Sequence, residues 1–488
     1  MELSEETSKD IQTSLPESWM WDVDFHPCHS QNTSLKNGCW TCTPSDPSTP
    51  TQFPLTIGNA PVIIPVEHRW PPIAGVNPPP DPRPSALIDY TADMPLDVIR
   101  DVFLTFDGSI GFYLLANGML QIIVDEDFDA GWASSHLPHK YGGLRVCYIT
   151  QSMEPTMLPS RTETAKSRIS QSSHGSSSKL SNMFSPSRAS SASQSHTSAL
   201  SLKLNDFIEV RSKSSHRKEK FAGRIGMKVV KDGELYLVMS THVITEAILA
   251  KSQRSSIFGR SRDPLDQLEG DWNEQVEIWA GNEKIGLIDK CFDPEPGIYP
   301  KGFMHDVTLV KSNNVAVLKD VKSPEVGIGW LSREGWSNLR QNSNTIKILG
   351  ETESQRAAKT LKTNHPSEVL VVGKGIFLNQ TSGIKPTKDY DLSAWESFVS
   401  RALLYRVYPD FDPPNGYSGI ALHNNGLRED GTTGPGVIGF QSFVQRSGHV
   451  QRYEMEGGAL EQRLSRGQVA FYGAFQVPEA LRKQWSIV

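Results

Sequence analysis

His242, Asp306 and Ser418 are the residues whose types and settings could carry acyl-transfer chemistry in this chain. His242 lies in Met239-Ser240-Thr241-His242-Val243, Asp306 opens Asp306-Val307-Thr308-Leu309-Val310-Lys311, and Ser418 lies in Gly416-Tyr417-Ser418-Gly419. A serine hydroxyl is a poor nucleophile at neutral pH. It needs a base within hydrogen-bond reach, and the base needs its tautomer fixed by a third group. Gly416 can adopt a positive φ and turn its own N–H, with that of Ser418, toward one point. Two such donors would stabilise a developing oxyanion, and removing one typically costs about 10²–10³ in rate. Taken singly, each segment has a plainer reading: a turn at Ser418, a strand-edge cap at Asp306, a core histidine at 242. Three in this order, each beside a strand, are harder to obtain by accident.

The order His…Asp…Ser is that of the chymotrypsin-type double barrel, whereas subtilisins and α/β-hydrolases carry other orders. Over residues 204–488 the chain resembles a trypsin-like serine protease. The segment ending Thr241-His242-Val243 resembles that family's Thr-Ala-x-His-Val, and 306–311 resembles Asp-Ile-Ala-Leu-Leu-Lys. A fourth segment, Gly436-Val437-Ile438-Gly439-Phe440-Gln441-Ser442-Phe443, resembles the family's Gly-Ile-Val-Ser-Trp strand and begins 18 residues after Ser418. The resemblance implies a mainly β fold: two antiparallel six-stranded β-barrels with a C-terminal helix. It implies peptide-bond hydrolysis through an acyl-enzyme, with His242 as base, Asp306 as its orienting acid, Ser418 as nucleophile, and the N–H groups of Gly416 and Ser418 as oxyanion hole. Ser442 and Phe443 would then line the entrance of the specificity pocket. Asp412, six residues before Ser418, stands where trypsin has its pocket-floor aspartate and points to a basic substrate residue. Val444, in place of the usual glycine, narrows that entrance against a long Lys or Arg side chain.

Two departures qualify the resemblance. Tyr417 replaces the aspartate that receives a freed N-terminal ammonium in secreted members, and Val243 replaces the cysteine of the disulfide beside the catalytic histidine. Both imply an intracellular, heat-shock-type or virus-like branch. No cofactor is expected. The alternative is a trypsin-like pseudoprotease acting as a protein-interaction module, and a third reading is a scaffold in which the motifs are accidental.

Composition narrows the partners. A chain of 488 residues is expected to form two or three domains. The net charge of −6 supplies no bulk field for nucleic acid or an anionic membrane, so protein or peptide is the expected partner. No apolar run reaches about 18 residues, which predicts no membrane-spanning helix. The acidic start Met1-Glu2-Leu3-Ser4-Glu5-Glu6 lacks a signal h-region, so secretion by that route is not expected. Five scattered cysteines are the usage of a reducing compartment, cytoplasmic or nuclear.

Four segments follow from the patterning. Residues 1–85 read as largely disordered and Pro-rich, with a Cys/His cluster. Within it Cys28, His29, Cys39 and Cys42 could close a tetrahedral zinc site, but the short spacing and the lack of a second knuckle favour a plain loop with thiols. Residues 86–155 read as a small α+β domain. Asp93 can cap a helix with Leu96, Ile99, Val102 and Phe103 on one face, and runs 110–115 and 119–124 meet across Asn117-Gly118. Residues 156–203 form a linker, with fifteen serines between Ser170 and Ser201; it is a solvated spacer or a phosphorylated, partner-binding tether. Residues 204–488 alternate as strands, with hairpins at Asp232-Gly233 and Gly281-Asn282, and end in a helix over 478–486 that carries Leu481 and Trp485 four apart.

Overall fold

The alternating runs of the C-terminal half become two sheets, and the two sheets meet at the residues singled out above. The structure is a computed structural model that describes residues 21–26, 39–44, 56–57, 60–63, 80–106, 108–116, 118–125, 137–150, 153–157, 201–213, 220–255, 268–340, 346–350, 368–379, 387–408, 416–446 and 469–488. The linker expected over 156–203 and the Asn117 corner of the first hairpin lie mostly or wholly outside them.

The first sheet has eight strands and curls into a half-barrel. Its order is Lys220–Arg224, Phe207–Ser212, Val276–Ala280, Glu283–Cys291, Thr308–Ser312, Glu234–Met239, Met227–Lys231 and Ser486–Ile487, every pair antiparallel. The turn at Asp232 (φ 51°) and Gly233 (φ 80°) has both central residues left-handed, the geometry that matches strand twist in a two-residue hairpin. Strand Glu234–Met239 runs straight into helix Thr241–Ser255. The helix forms because Val243, Ile244, Ala247 and Ile248 share a face. That face is buried with Ile208, Leu237 and Leu309 in one core.

The second sheet is mixed and has twelve strands. Along its path stand Lys347–Ile348, Ala421–Leu427, Thr433–Arg446, Val469–Gln476, Val399–Tyr408, Glu368–Leu378, Ser109–Leu115, Met119–Val124, Leu144–Thr150 and Lys140–Tyr141. Two further strands, Gly329–Trp330 and Met153–Pro155, pair with Thr433–Arg446. The sequence set 86–155 apart as a small domain, yet its strand Ser109–Leu115 lies antiparallel to Glu368–Leu378, with Phe112 opposite Ile376. An otherwise open edge of the C-terminal sheet is thereby paired, which removes a row of unsatisfied backbone groups.

Helix Leu96–Thr105 packs Ile99, Val102 and Phe103 against this sheet, with Phe103 5.3 Å from Phe112 and 6.3 Å from Trp395 between ring centroids. Asp93 does not cap it: Pro95 holds that position with no side-chain bond. Asp93 instead accepts from Lys374 Nζ at 2.9 Å. The Lys374 side chain is 2% exposed, and a buried ammonium needs a carboxylate more than a helix needs its cap. Near the end of the chain, helix Glu479–Gln484 places Leu481 and Trp485 in the first core. A separate four-stranded sheet of Trp21–His26, Cys39–Pro44, Ala60–Ile63 and Thr56–Ile57 lies in the segment read as largely disordered. Among the described residues, no helix is long and apolar enough to cross a membrane.

Candidate active site

His242 is the second residue of helix Thr241–Ser255, so its backbone N–H has no partner within the helix. That N–H donates to Asp306 Oδ1 at 2.9 Å, and ring Nδ1 lies 2.6 Å from Asp306 Oδ2. A carboxylate can only accept, so Nδ1 carries the proton and Nε2 is left as the acceptor. Ser418 Oγ lies 2.8 Å from Nε2. All three side chains are buried.

Asp306 is held in place by a group that no motif announces. Its φ is 53°, a left-handed conformation that costs a non-glycine residue about 1–3 kcal/mol unless its surroundings impose it. Asp293 imposes it. Oδ1 of Asp293 accepts the N–H groups of Met304, His305 and Asp306 at 2.8, 2.8 and 2.9 Å. Its Oδ2 accepts from Val307 N at 3.2 Å and from the Thr241 hydroxyl at 2.6 Å. One buried carboxylate thus ties the Asp306 loop to the first residue of the His242 helix. Burial, then the charge of Asp306, push the Asp293 carboxyl up to about 6 against the pull of its hydrogen bonds.

Ser442 completes the shell of Asp306. Its Oγ donates to Asp306 Oδ2 at 2.5 Å. Having spent its hydrogen there, it accepts from Tyr299 OH at 2.8 Å, and burial keeps that phenol protonated. The Tyr299 ring also meets the His242 ring edge-on at 5.1 Å.

Gly416 has φ 87° and Gly419 φ 96°, and a Cβ on Gly419 would stand 2.5 Å from Arg224 O. This backbone turns the N–H groups of Gly416, Tyr417 and Ser418 to one side, where all three donate to the carbonyl oxygen of Thr156, at 3.0 Å from Tyr417 and 3.4 Å from Ser418. On the other side Arg224 fixes the loop: its Nε donates to Gly416 O at 2.8 Å and its backbone N–H to Ser418 O at 2.7 Å. The Arg224 guanidinium stacks 3.5 Å over Phe207 and reaches the buried Tyr417 ring at 5.2 Å. Tyr417 is therefore a packing residue.

A short stretch of the chain's own backbone covers the site. Strand Met153–Pro155 pairs antiparallel with Thr433–Arg446, placing Pro155 opposite Phe443, Glu154 opposite Val444 and Met153 opposite Gln445. Thr156 N–H then donates to Ser442 O at 3.1 Å, and Thr156 Oγ1 lies 3.0 Å from Ser418 Oγ. Met157 follows and is buried in the first core.

The structure thus brings together His242, Asp306, Ser418, Gly416 and Ser442. Phe443 and Val444 meet the covering segment through their backbones; their side chains enter two apolar clusters, Phe443 beside Phe377 and Phe475, Val444 beside Leu403 and Tyr472. Asp412, Cys28 and His29 lie outside the described residues. Cys39 and Cys42 share one strand of the small sheet, and among the described residues no group of His, Cys, Asp or Glu is placed to hold a metal ion. Asp293, Tyr299, Arg224 and Thr156 escaped sequence reasoning. The hydrogen-bond partners that tie them into the site lie 11 or more residues away in the chain, 262 for Thr156 and Ser418, and no spacing rule links them.

No family model matches the chain. No curated protein matches it either. Among solved structures, protease A of Thermobifida fusca is similar over 59% of this chain and 99% of its own, at 9% identity and a TM-score of 0.23. The likeness is a distant one.

Proposed function

We propose that the chain is a serine endopeptidase of the trypsin-like type, acting on protein or peptide substrates inside the cell. The hydrogen-bonded line from Asp306 through His242 to Ser418 carries the reading, because each of its links has the polarity that acyl transfer needs. Ser418 would attack a carbonyl while His242 Nε2 takes its proton. Asp306, fixed by Asp293 and Ser442, would stabilise the resulting imidazolium. The N–H groups of Gly416 and Ser418 converge on one carbonyl oxygen, which is where an oxyanion would develop.

A second reading, the inert interaction module, draws on one observation: Ser418 is fully buried beneath Thr156. A variant that loosens the cover separates the two. Thr156→Pro removes the N–H that donates to Ser442 and leaves His242, Asp306 and Ser418 unchanged. The folded Thr156→Pro chain should form a fluorophosphonate adduct at Ser418, and the same chain with His242→Ala should form none. A folded Thr156→Pro chain that neither reacts nor cleaves a diverse peptide library would defeat the endopeptidase reading.

A further inference from the structure

The segment over the site is held in register by its own backbone. Its backbone runs antiparallel to Thr433–Arg446, its Thr156 N–H meets Ser442 O, and its Thr156 carbonyl receives the Gly416, Tyr417 and Ser418 N–H groups. Ser418 Oγ, with its hydrogen directed to His242, lies 3.0 Å from the Thr156 hydroxyl, against the same residue whose carbonyl is so polarised. Met157, on the far side of that carbonyl, is sunk in the first core, so the peptide unit between them is held on both sides. Contacts from three separate elements converge on one peptide unit. A cover that only blocked the site would need none of this register.

We propose that the chain cuts itself, in cis, between Thr156 and Met157. This rests on the endopeptidase reading and adds the first bond it cleaves. Ser418 Oγ forms a bond to the Thr156 carbonyl carbon as its proton passes to His242 Nε2. The carbonyl electron pair moves onto the oxygen held by Gly416 and Ser418. Collapse restores the C=O bond and breaks the C–N bond, and the Met157 nitrogen leaves with the proton from His242. Water then attacks the Thr156 ester, giving its proton through His242 back to Ser418 Oγ, and leaves a Thr156 carboxylate. One water is consumed in all.

Covalent attachment makes this an intramolecular reaction, which is worth effective molarities of about 10⁵ M or more in well-oriented systems. Cutting does not release the N-terminal piece. It stays paired through Ser109–Leu115 against Glu368–Leu378 and through Met153–Pro155 against Thr433–Arg446. The new carboxylate remains where the three N–H groups point, so the cut protein stays closed to other substrates until that piece is pulled away. The bond is thus a processing site, and the 1–156 piece a bound inhibitor of the enzyme it has been cut from.

Intact-mass and N-terminal analysis of the purified full chain tests this. Wild type should give one fragment ending at Thr156 and one starting at Met157, which co-elute natively and separate in denaturant. Ser418→Ala and Thr156→Pro should stay whole, and Ser418→Ala should stay whole when mixed with wild type, since the reaction is in cis. A wild-type chain that stays whole overturns the proposal. If Thr156→Pro nevertheless takes up a fluorophosphonate at Ser418, the endopeptidase reading survives and the segment is a plug; if it does not, both readings fall. Cutting at this bond in Ser418→Ala, by a contaminating protease, would equally overturn self-processing.

Discussion

Asp293 Oδ1 accepts the backbone N–H of Asp306 at 2.9 Å, and Asp306 sits there with a φ of 53°. The acid that orients His242 is therefore itself oriented by a second acid, through its backbone rather than its side chain. The arrangement makes Asp293 a positioning residue: it touches no reacting atom, yet five donors converge on it.

Asp293→Asn should lower the acylation rate about 10-fold or more, because an amide NH₂ in place of Oδ2 can accept from neither Val307 N–H nor the Thr241 hydroxyl and leaves a buried donor unpaired. The pH profile should change as well. In wild type, acylation should fall as pH drops through about 6, where Asp293 takes up a proton and releases part of its donor set. The folded state binds that proton more tightly than the unfolded chain, whose aspartate titrates near 3.8, so this carboxyl by itself lowers stability as pH rises from about 4 to about 6. Rates of fluorophosphonate uptake from pH 5 to 8, on Thr156→Pro with and without Asp293→Asn, check it. An unchanged profile would reduce Asp293 to packing.

Asp306→Asn should keep the fold and slow acylation by about 10⁴, since an amide at this position favours the wrong imidazole tautomer. His242→Ala and Ser418→Ala should each remove most of the reaction. The double variant should be little worse than either, because the three groups act as one unit. Additive losses would mean that Ser418 reacts without His242.

Ser442→Ala deletes the donor to Asp306 and strands the Tyr299 hydroxyl that Ser442 accepts. A buried unpaired polar group costs about 1–3 kcal/mol, so the variant should melt measurably lower and acylate more slowly. Ser442→Thr, which keeps the hydroxyl, should recover part of both. Loss of stability with no loss of rate would place Ser442 outside the machinery.

His305 neighbours Asp306 but serves stability instead. Burial pushes its imidazole down to about 4, and its Nδ1 donates to Gln476 O at 2.9 Å. The unfolded chain's histidine binds its proton near 6.5, well before the folded one does. This residue's contribution is therefore complete above about 6.5 and is lost as pH falls toward 4, up to about 3 kcal/mol in all. His305→Gln should flatten the acid side of the stability curve over that window, read by denaturant melts at fixed pH. A curve unchanged by the substitution would show that His305 titrates alike in both states.

What the sequence determined by itself was local. Order and neighbours marked His242, Asp306 and Ser418, because each lies within a short run whose strand or turn character is written in adjacent residues. Asp232-Gly233 and Gly281-Asn282 marked hairpins for the same reason: positive φ is a property of the residue in hand. Tertiary structure alone decided what those residues meet. Asp93 left its helix for Lys374, because burial of an ammonium 281 positions away outweighed a cap. Phe443 and Val444 turned their side chains into two cores and gave only backbone to the site. The strands of 109–155 completed a sheet whose other members begin beyond residue 328, and Thr156 came to rest over Ser418. Such pairings depend on which edges and donors remain unsatisfied once everything else has packed, and no local pattern encodes that.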